Sequence, residues 1–132
     1  MFKKTVTYTD YDGVERTETF YFNLSEAEIV EMELGTEGGW RERMQRIIDS
    51  KDAPTIMREF KKLIMNSYGI KSDDGRRFIK SDDISRDFVQ TEAYNQIFME
   101  LVTDAKAAAD FANGIAPSGK DKSRQDMVPV SK

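Results

Sequence analysis

The sequence predicts an α+β fold that is mainly helical, in which an N-terminal β-hairpin packs on five or six short α-helices. Two patterns predict it. Threonine, valine and aromatic residues are enriched on both sides of Asp12-Gly13, and apolar residues recur at helical spacing from residue 26 to residue 113. A chain of 132 residues is long enough to bury the core of one domain. We place that single globular domain at residues 1–115.

The hairpin is predicted over residues 3–22, and its loop has two alternatives. A two-residue turn at Asp12-Gly13 would set two acidic residues opposite each other and divide the apolar side chains between the two faces. A three-residue loop that begins at Tyr11, with Gly13 in the left-handed conformation, avoids both problems and is favoured. It collects these apolar side chains on one face: Phe2, Val6, Tyr8, Val14, Phe20 and Phe22. A lone hairpin is marginal in water, so this face is expected to lie on the helices.

Capping signals indicate where helices begin. Ser25 followed by Glu28 has the spacing of a capping box. Asp52 is the predicted N-cap of another helix, which has Pro54 in its first turn, where the missing N–H costs nothing. The predicted helices cover residues 26–34, 39–50, 53–68, 82–90, 92–102 and 105–113.

Glycines are interpreted as the ends of three helices. Gly35, Gly69 and Gly114 each follow an apolar stripe, where glycine commonly closes a helix. Beyond them, the sequence APSGKDKSRQDMVPVSK has no apolar period and contains two prolines. Residues 116–132 are therefore predicted to form a flexible, disordered tail.

Composition argues against several classes of function. The net charge is −4, and because the last 18 residues carry +2, the first 114 carry −6, which disfavours a phosphate backbone as partner. The chain has neither cysteine nor histidine, so the thiolate nucleophile, the commonest general base and the favoured zinc ligands are missing. No apolar run is long enough to cross a membrane. We expect no catalytic residue, cofactor or metal, and neither a membrane nor nucleic acid as partner.

The stretch from residue 67 to residue 84, SYGIKSDDGRRFIKSDDI, most resembles a site. It could present Asp73 and Asp74 to a cation, or Arg76 and Arg77 to a phosphate. A calcium loop needs acidic oxygens at alternate positions and a closing glutamate, and a phosphate loop needs several glycines. Neither pattern is present.

A turn is the favoured interpretation of this stretch. Asp74-Gly75 reverses the chain, and three apolar residues are expected to hold the two legs on the core: Ile70, Phe78 and Ile79. Arg76 and Arg77 remain candidates for an acidic partner or for pairing within the protein. A second acidic motif, DYDG, is explained by the hairpin loop.

Clustered glutamates and methionines give two further interpretations. Four glutamates on the helix that follows Ser25 are interpreted as a solvated face: Glu26, Glu28, Glu31 and Glu33. Most apolar stripes are expected to be core, but seven methionines are many for this length, and methionine adapts to varied partners. A groove for a partner helix is the alternative. The candidate partner-binding residues are Trp40, Met44, Met57, Met65, Arg76 and Arg77.

Six stretches in a fixed order resemble one family of phage proteins. They are FYFNLSEAEIVEME, a Gly-Gly pair, RIIDSKD, FKKLIMNSYGIKSDDGRRFIKS, FVQTEAYNQIFMEL and FANGIAP. From about Phe20 to Pro117 this order resembles tail assembly chaperones of long-tailed, non-contractile phages and prophages, or proteins coded beside their tail genes. The matching positions around the turn are interpreted as a joint and not as a site: Tyr68, Gly69, Asp74, Gly75, Phe78 and Lys80.

The resemblance implies a helical, non-enzymatic protein that binds the tape-measure protein. Such a chaperone keeps that long, aggregation-prone helix soluble while the tail tube polymerises around it. It would act in the cytoplasm of the infected or lysogenic host and be absent from the mature virion. Binding to other tail proteins and a homo-oligomer stay open. The rival functions are a structural or adaptor component of the tail or head–tail connector, and a small regulator that binds a host protein or nucleic acid.

Overall fold

The structure, a computed structural model, describes residues 1–34 and 39–116. The hairpin consists of β1 (Phe2–Thr9) and β2 (Glu15–Phe22). It is followed by α1 (Glu26–Leu34), α2 (Trp40–Ser50) and α3 (Ala53–Ser67). After two short strands, β3 (Tyr68–Lys71) and β4 (Phe78–Ile79), come α4 (Asp82–Val89), α5 (Glu92–Thr103) and α6 (Ala105–Ile115).

The predicted fold class is confirmed, with a hairpin followed by six helices in the described part of the chain. Gly35 and residues 117–132 of the predicted tail lie outside the described residues. Ala116, which we assigned to the tail, is buried with 3% of its surface exposed. It packs with the apolar core because α6 continues two residues beyond its predicted end.

The hairpin has the three-residue loop. Its register pairs Phe2 with Phe22 and Thr9 with Glu15, and Gly13 has a φ of 82°. Even-numbered residues of both strands therefore share the face that lies on the helices, as predicted. Val14 at the tip of this face is 51% exposed.

Asp10 holds the hairpin loop closed. Its Oδ1 accepts hydrogen bonds from the backbone N–H groups of Asp12 and Val14, both at 2.9 Å. Its Oδ2 accepts from Arg16 Nε at 2.5 Å. The hydrogen bond from Arg16, followed by that from the Val14 N–H, lowers the pKa of Asp10. This acid is thus occupied in forming the loop.

The sheet contains two strands that the sequence analysis missed. The order is β1-β2-β3-β4, with every neighbouring pair antiparallel. β3 pairs with β2 only through Gly69 and Tyr68, which face Tyr21 and Phe22. Strands this short carry too few residues to show an alternating pattern.

The capping box at the start of α1 is confirmed. The Ser25 N–H donates to Glu28 Oε1 at 2.8 Å, and the Glu28 N–H donates to Ser25 Oγ at 3.1 Å. Asp52 precedes α3 as predicted, but its side chain accepts no hydrogen bond from the helix backbone. Its carboxylate instead accepts from the hydroxyl of Thr55.

The core centres on Phe22, which is fully buried. Its ring contacts those of Phe2, Tyr68, Phe88 and Phe111, with centroid distances from 5.4 to 6.4 Å. These rings come from β1, β3, α4 and α6, so the end of β2 packs against both the sheet and the helices. The buried side chains that surround this cluster include Leu24, Trp40, Met44, Phe60, Ile64, Ile97, Leu101 and Ile115.

Gly69 and Gly114 do not close helices as predicted. Gly69 lies within β3, and Gly114 lies inside α6, which continues to Ile115. Both allow close packing instead. A Cβ on Gly69 would meet the Phe78 ring at 2.6 Å and the Ile79 carbonyl oxygen at 2.9 Å, and one on Gly114 would meet the Phe2 ring at 2.6 Å.

We expect Gly69→Ala to lower the free energy of unfolding by about 1–3 kcal/mol, because the added methyl group overpacks a backbone carbonyl that cannot move alone. Gly75→Asn is the matched control, since Gly75 has a φ of 76° and open space around it. Asparagine tolerates that conformation, so this change should cost about 1 kcal/mol or less. Urea denaturation measures both. Equal losses would show that the close approach at Gly69 is unimportant.

Candidate functional site

Lys80 joins three elements in the middle of the protein. Its Nζ donates to both carboxylate oxygens of Glu28 at 2.8 Å, to the Asn23 carbonyl at 3.0 Å and to the Asn66 carbonyl at 3.1 Å. These acceptors belong to the first turn of α1, the end of β2 and the end of α3. The side chain of Lys80 is 22% exposed, so water screens the contacts only partly.

Backbone hydrogen bonds complete this junction, which we define as Lys80, Glu28, Asn23 and Asn66. The Asn23 N–H donates to the Ser67 carbonyl at 2.8 Å, which fixes the end of β2 to the end of α3. The buried hydroxyl of Ser85 donates to the Met65 carbonyl at 2.7 Å and adds α4. Each bond fills a backbone acceptor at an element end, where helices leave carbonyls without an internal partner.

The environment of Glu28 corrects its assignment to a solvated face. Burial by itself would raise the pKa of Glu28, but hydrogen bonds from Lys80 and from the Ser25 N–H outweigh it and hold the pKa below its usual range. Glu28 therefore serves both the capping box and the junction. A sequence pattern shows only the first of these roles, because Lys80 is 52 residues away.

The turn between β3 and β4 is confirmed as a hairpin. The Ser72 N–H donates to the Arg77 carbonyl at 2.9 Å, and Ser72 Oγ donates to Asp74 Oδ1 at 2.7 Å. Hydrogen bonds from the Arg76 N–H and from Ser72 lower the pKa of Asp74. Ile70 is 47% exposed, so it does not hold its leg of the turn on the core as expected; it lies beyond the point where β3 leaves β2.

The six candidate partner-binding residues divide into two that are buried and four that lie at or near the surface. Trp40 and Met44 are 1% and 3% exposed, so these two side chains belong to the core and form no part of a surface. Their stripe on α2 faces the core, where α2 packs against α6 and α3, and sequence spacing could not reveal these partners. No acceptor for the indole Nε1 of Trp40 is present among the described residues.

The other four candidates lie at or near the surface. Met57 on α3 is 44% exposed, and Met65 is half-buried near the end of the same helix. The exposed side chains of Arg76 and Arg77 extend from the turn between β3 and β4. The structure thus leaves two separate surfaces, one apolar and one basic.

An apolar groove lies where the start of α3 faces the end of α5. It has a volume of about 260 Å³ and is half open to solvent. We call it the α3–α5 groove, and its lining residues are Ile48, Lys51, Ala53, Ile56, Leu101, Val102, Thr103, Asp104, Ala105 and Ala108.

Two exposed methionines border the α3–α5 groove. Met57 is four residues from Ala53, and Met99 is three residues from Val102, so helical spacing puts each beside a lining residue. Met99 is 54% exposed. The sequence analysis did not select it; its spacing from the apolar stripe of α5 was the available signal.

The model of one protein family, the phage tail assembly chaperones, matches residues 1–127. The chain belongs to the phage tail assembly chaperone family. The match extends beyond the resemblance from about Phe20 to Pro117 at both ends and includes the whole hairpin. No curated protein and no solved structure matches the chain.

No cluster of three or more aspartate, glutamate, histidine or cysteine side chains that could hold a metal occurs in residues 1–34 and 39–116. None of the helices described is both long and apolar enough to cross a membrane. Two surfaces described above are available for contact, the α3–α5 groove and the exposed turn that carries Arg76 and Arg77.

We expect Lys80→Met to lower the free energy of unfolding by about 1–3 kcal/mol, because it leaves partly buried carbonyls and a carboxylate without their donor. Lys61→Met is the matched control: Lys61 is exposed on α3, so its loss should change stability by about 0.5 kcal/mol or less.

The Lys80 effect should also depend on pH. The folded-state pKa of Glu28 is depressed, so its contribution is present above the usual glutamate value of about 4.3 and disappears as the pH falls through the lower folded value. The stability difference between wild type and Lys80→Met should therefore shrink under acid. Urea denaturation at several pH values tests this, and a constant difference contradicts it.

We expect Trp40→Ala to lower the free energy of unfolding by about 3–5 kcal/mol, because it empties a large volume in the core. Met57→Ala, at the groove border, should cost about 1 kcal/mol or less. Thermal melts of the two variants distinguish core from surface. An unchanged melt for Trp40→Ala would contradict the assignment of Trp40 to the core.

Proposed function

We propose that this tail assembly chaperone binds an amphipathic helix of the phage tape-measure protein in the α3–α5 groove. The observation that supports this is an open apolar groove between helices with two exposed methionines beside it. An amphipathic helix inserts its apolar face into such grooves, and methionine side chains adjust to different sequences along the client.

The size of the groove limits how strongly one copy can bind. A volume of about 260 Å³ admits only a few apolar side chains of the client. Each buried side chain contributes about 1.5–3 kcal/mol before the cost of association is subtracted. We therefore propose that each contact is weak and that a long helical client carries several copies, which can leave as the tail tube closes.

Charged groups at the groove give the client an orientation. Lys51 and Asp104, of opposite charge, both line the groove. A helix with an acidic and a basic residue flanking its apolar face would pair with both. Arg76 and Arg77 form the second surface available to an acidic partner, and Met65 remains a candidate without a place in either surface.

The proposed function also has a location and excludes catalysis. We propose that it is non-enzymatic, works in the cytoplasm of the infected or lysogenic host, and is absent from the mature virion. Its function would be to cover apolar helix surface until the tail is assembled. Mass spectrometry of purified virions tests this, because a structural or adaptor component of the tail must be present in the particle.

Substitution at the groove border tests the client site. Met57→Glu combined with Met99→Glu places two charges beside the groove and should reduce the soluble fraction of co-expressed tape-measure protein several-fold. Val30→Glu is the matched control, because Val30 on α1 is 50% exposed and does not line the groove. This control should keep wild-type activity.

The same experiment has two contrary outcomes. If wild-type chaperone leaves the solubility of the tape-measure protein unchanged, the proposed client is wrong. If the client is kept soluble equally well by wild type and by the double variant, the client is right and the α3–α5 groove is not its site. In that case charge reversal of Arg76 and Arg77 tests the second surface.

A further inference from the structure

The outer edge of β2 is open along most of its length. β3 pairs with β2 only at Tyr21 and Phe22, and β1 lies on the other side of β2. Residues 15–20 of β2 therefore have no paired strand on the β3 side within the described structure. An unpaired strand edge is a template for another strand.

The hydrogen-bonding pattern of the hairpin fixes which groups point outward. The Asp10 N–H donates to the Val14 carbonyl across the hairpin, so even-numbered residues of β2 bond to β1. The Asn23 N–H donates to the Ser67 carbonyl on the opposite side, as the alternation requires. The backbone groups that face outward on the open edge therefore belong to Glu15, Thr17 and Thr19.

We propose that a second copy of this chain docks antiparallel on the open edge of β2, with Thr17 of each copy facing its counterpart. In this symmetric arrangement Glu15 of one copy faces Thr19 of the other. The outward N–H and C=O groups of these three residues then all find partners. A two-fold axis at Arg16 or Glu18 leaves some of them unpaired and sets like charges opposite each other.

Side-chain charges favour the same register. With Thr17 on the axis, Arg16 of each copy lies directly opposite Glu18 of the other. Both side chains are partly exposed, at 49% and 42%. Arg16 Nε donates to Asp10 and Glu18 Oε1 accepts from the Tyr8 hydroxyl, but Arg16 Nη1 and Glu18 Oε2 make only a long contact of 3.9 Å with each other. Opposite charges directly across paired strands stabilise the pairing, and like charges destabilise it.

Gly69 already pairs with Tyr21, so the second strand must turn away from β2 after its Glu15, where a crevice opens between β2 and β3. Beyond Tyr21 the strands diverge around a space of about 430 Å³ that Thr19, Ile70 and Lys71 help to line. The Nζ of Lys71 lies 4.4 Å from the centre of the Tyr21 ring, on the same face as Thr19. Glu15 of the second copy would lie beside Thr19 and bring its carboxylate towards this ammonium.

The outer side of β1 is a less suitable docking edge. α5 packs against β1, and the Nζ of Lys4 lies 2.7 Å from Glu100 Oε1. At the hairpin tip, the hydroxyl of Tyr11 donates to Glu92 at 2.9 Å. These contacts hold α5 against β1, whereas the ring contacts of β2 with α4 are made by Phe20 and Phe22, at the end of β2 away from Glu15 and Thr17.

Single cysteines test the register directly, because the full chain contains none of its own. In Thr17→Cys the two Cα atoms would lie about 5.5 Å apart, within disulfide reach, and mild oxidation should yield covalent dimers. Thr7→Cys is the matched control. Thr7 faces Thr17 across the hairpin, is equally exposed, and shares the hydroxyl contact of 2.9 Å that both variants lose.

The control should give no covalent dimer, because its two sulfurs would be three strand spacings apart, about 14 Å. Cross-linking of Thr17→Cys without Thr7→Cys supports the proposal. Cross-linking of Thr7→Cys, of both variants equally, or of neither overturns it.

Charge reversal provides an independent test by sedimentation over a dilution series. Wild type should dimerise with increasing concentration, and Arg16→Glu or Glu18→Arg should each weaken dimerisation at least tenfold. The combined variant Arg16→Glu with Glu18→Arg should recover it, because the opposite charges face each other again. A wild type that is monomeric throughout, single variants that dimerise normally, or a double variant that stays monomeric would each refute this register.

Discussion

The ammonium group of Lys80 is the interaction on which the arrangement of the elements depends. It joins a carboxylate at the start of α1 to carbonyls at the ends of β2 and α3. These three ends converge beside the aromatic cluster around Phe22, so polar ends and apolar core are fixed by neighbouring contacts. Without a donor at this point, several partly buried acceptors would lack partners, which is costly in an environment that water screens poorly.

The junction also explains why the charged motif around β3 and β4 resembles a functional site although it forms a structural joint. Asp74 and Gly75 form the tight turn of the β3–β4 hairpin, and this hairpin places Lys80 at the junction. The contact surfaces lie elsewhere: the α3–α5 groove between helices and the open edge of β2.

For two glycines the sequence analysis selected a structurally important position but assigned it the wrong role. Gly69 and Gly114 follow apolar stripes, as helix-closing glycines do. In the structure they make room for the rings of Phe78 and Phe2. An apolar stripe indicates only that one face of a helix is buried. It does not show which distant segment packs on that face. The same limit applies to Trp40 and Met44, which are buried on a helix that packs against α6 and α3.

By itself, the sequence determined what short-range chemistry controls. The capping box, the three-residue hairpin loop with its register, and the positions of the six helices follow from contacts within a few residues, where residue type and spacing decide the outcome. Tertiary structure decided the rest: the two short strands, the pairing of Lys80 with Glu28, and the division of methionines between core and groove. These features depend on contacts between side chains that are far apart in the chain. Local spacing does not show which distant surface will cover a given face.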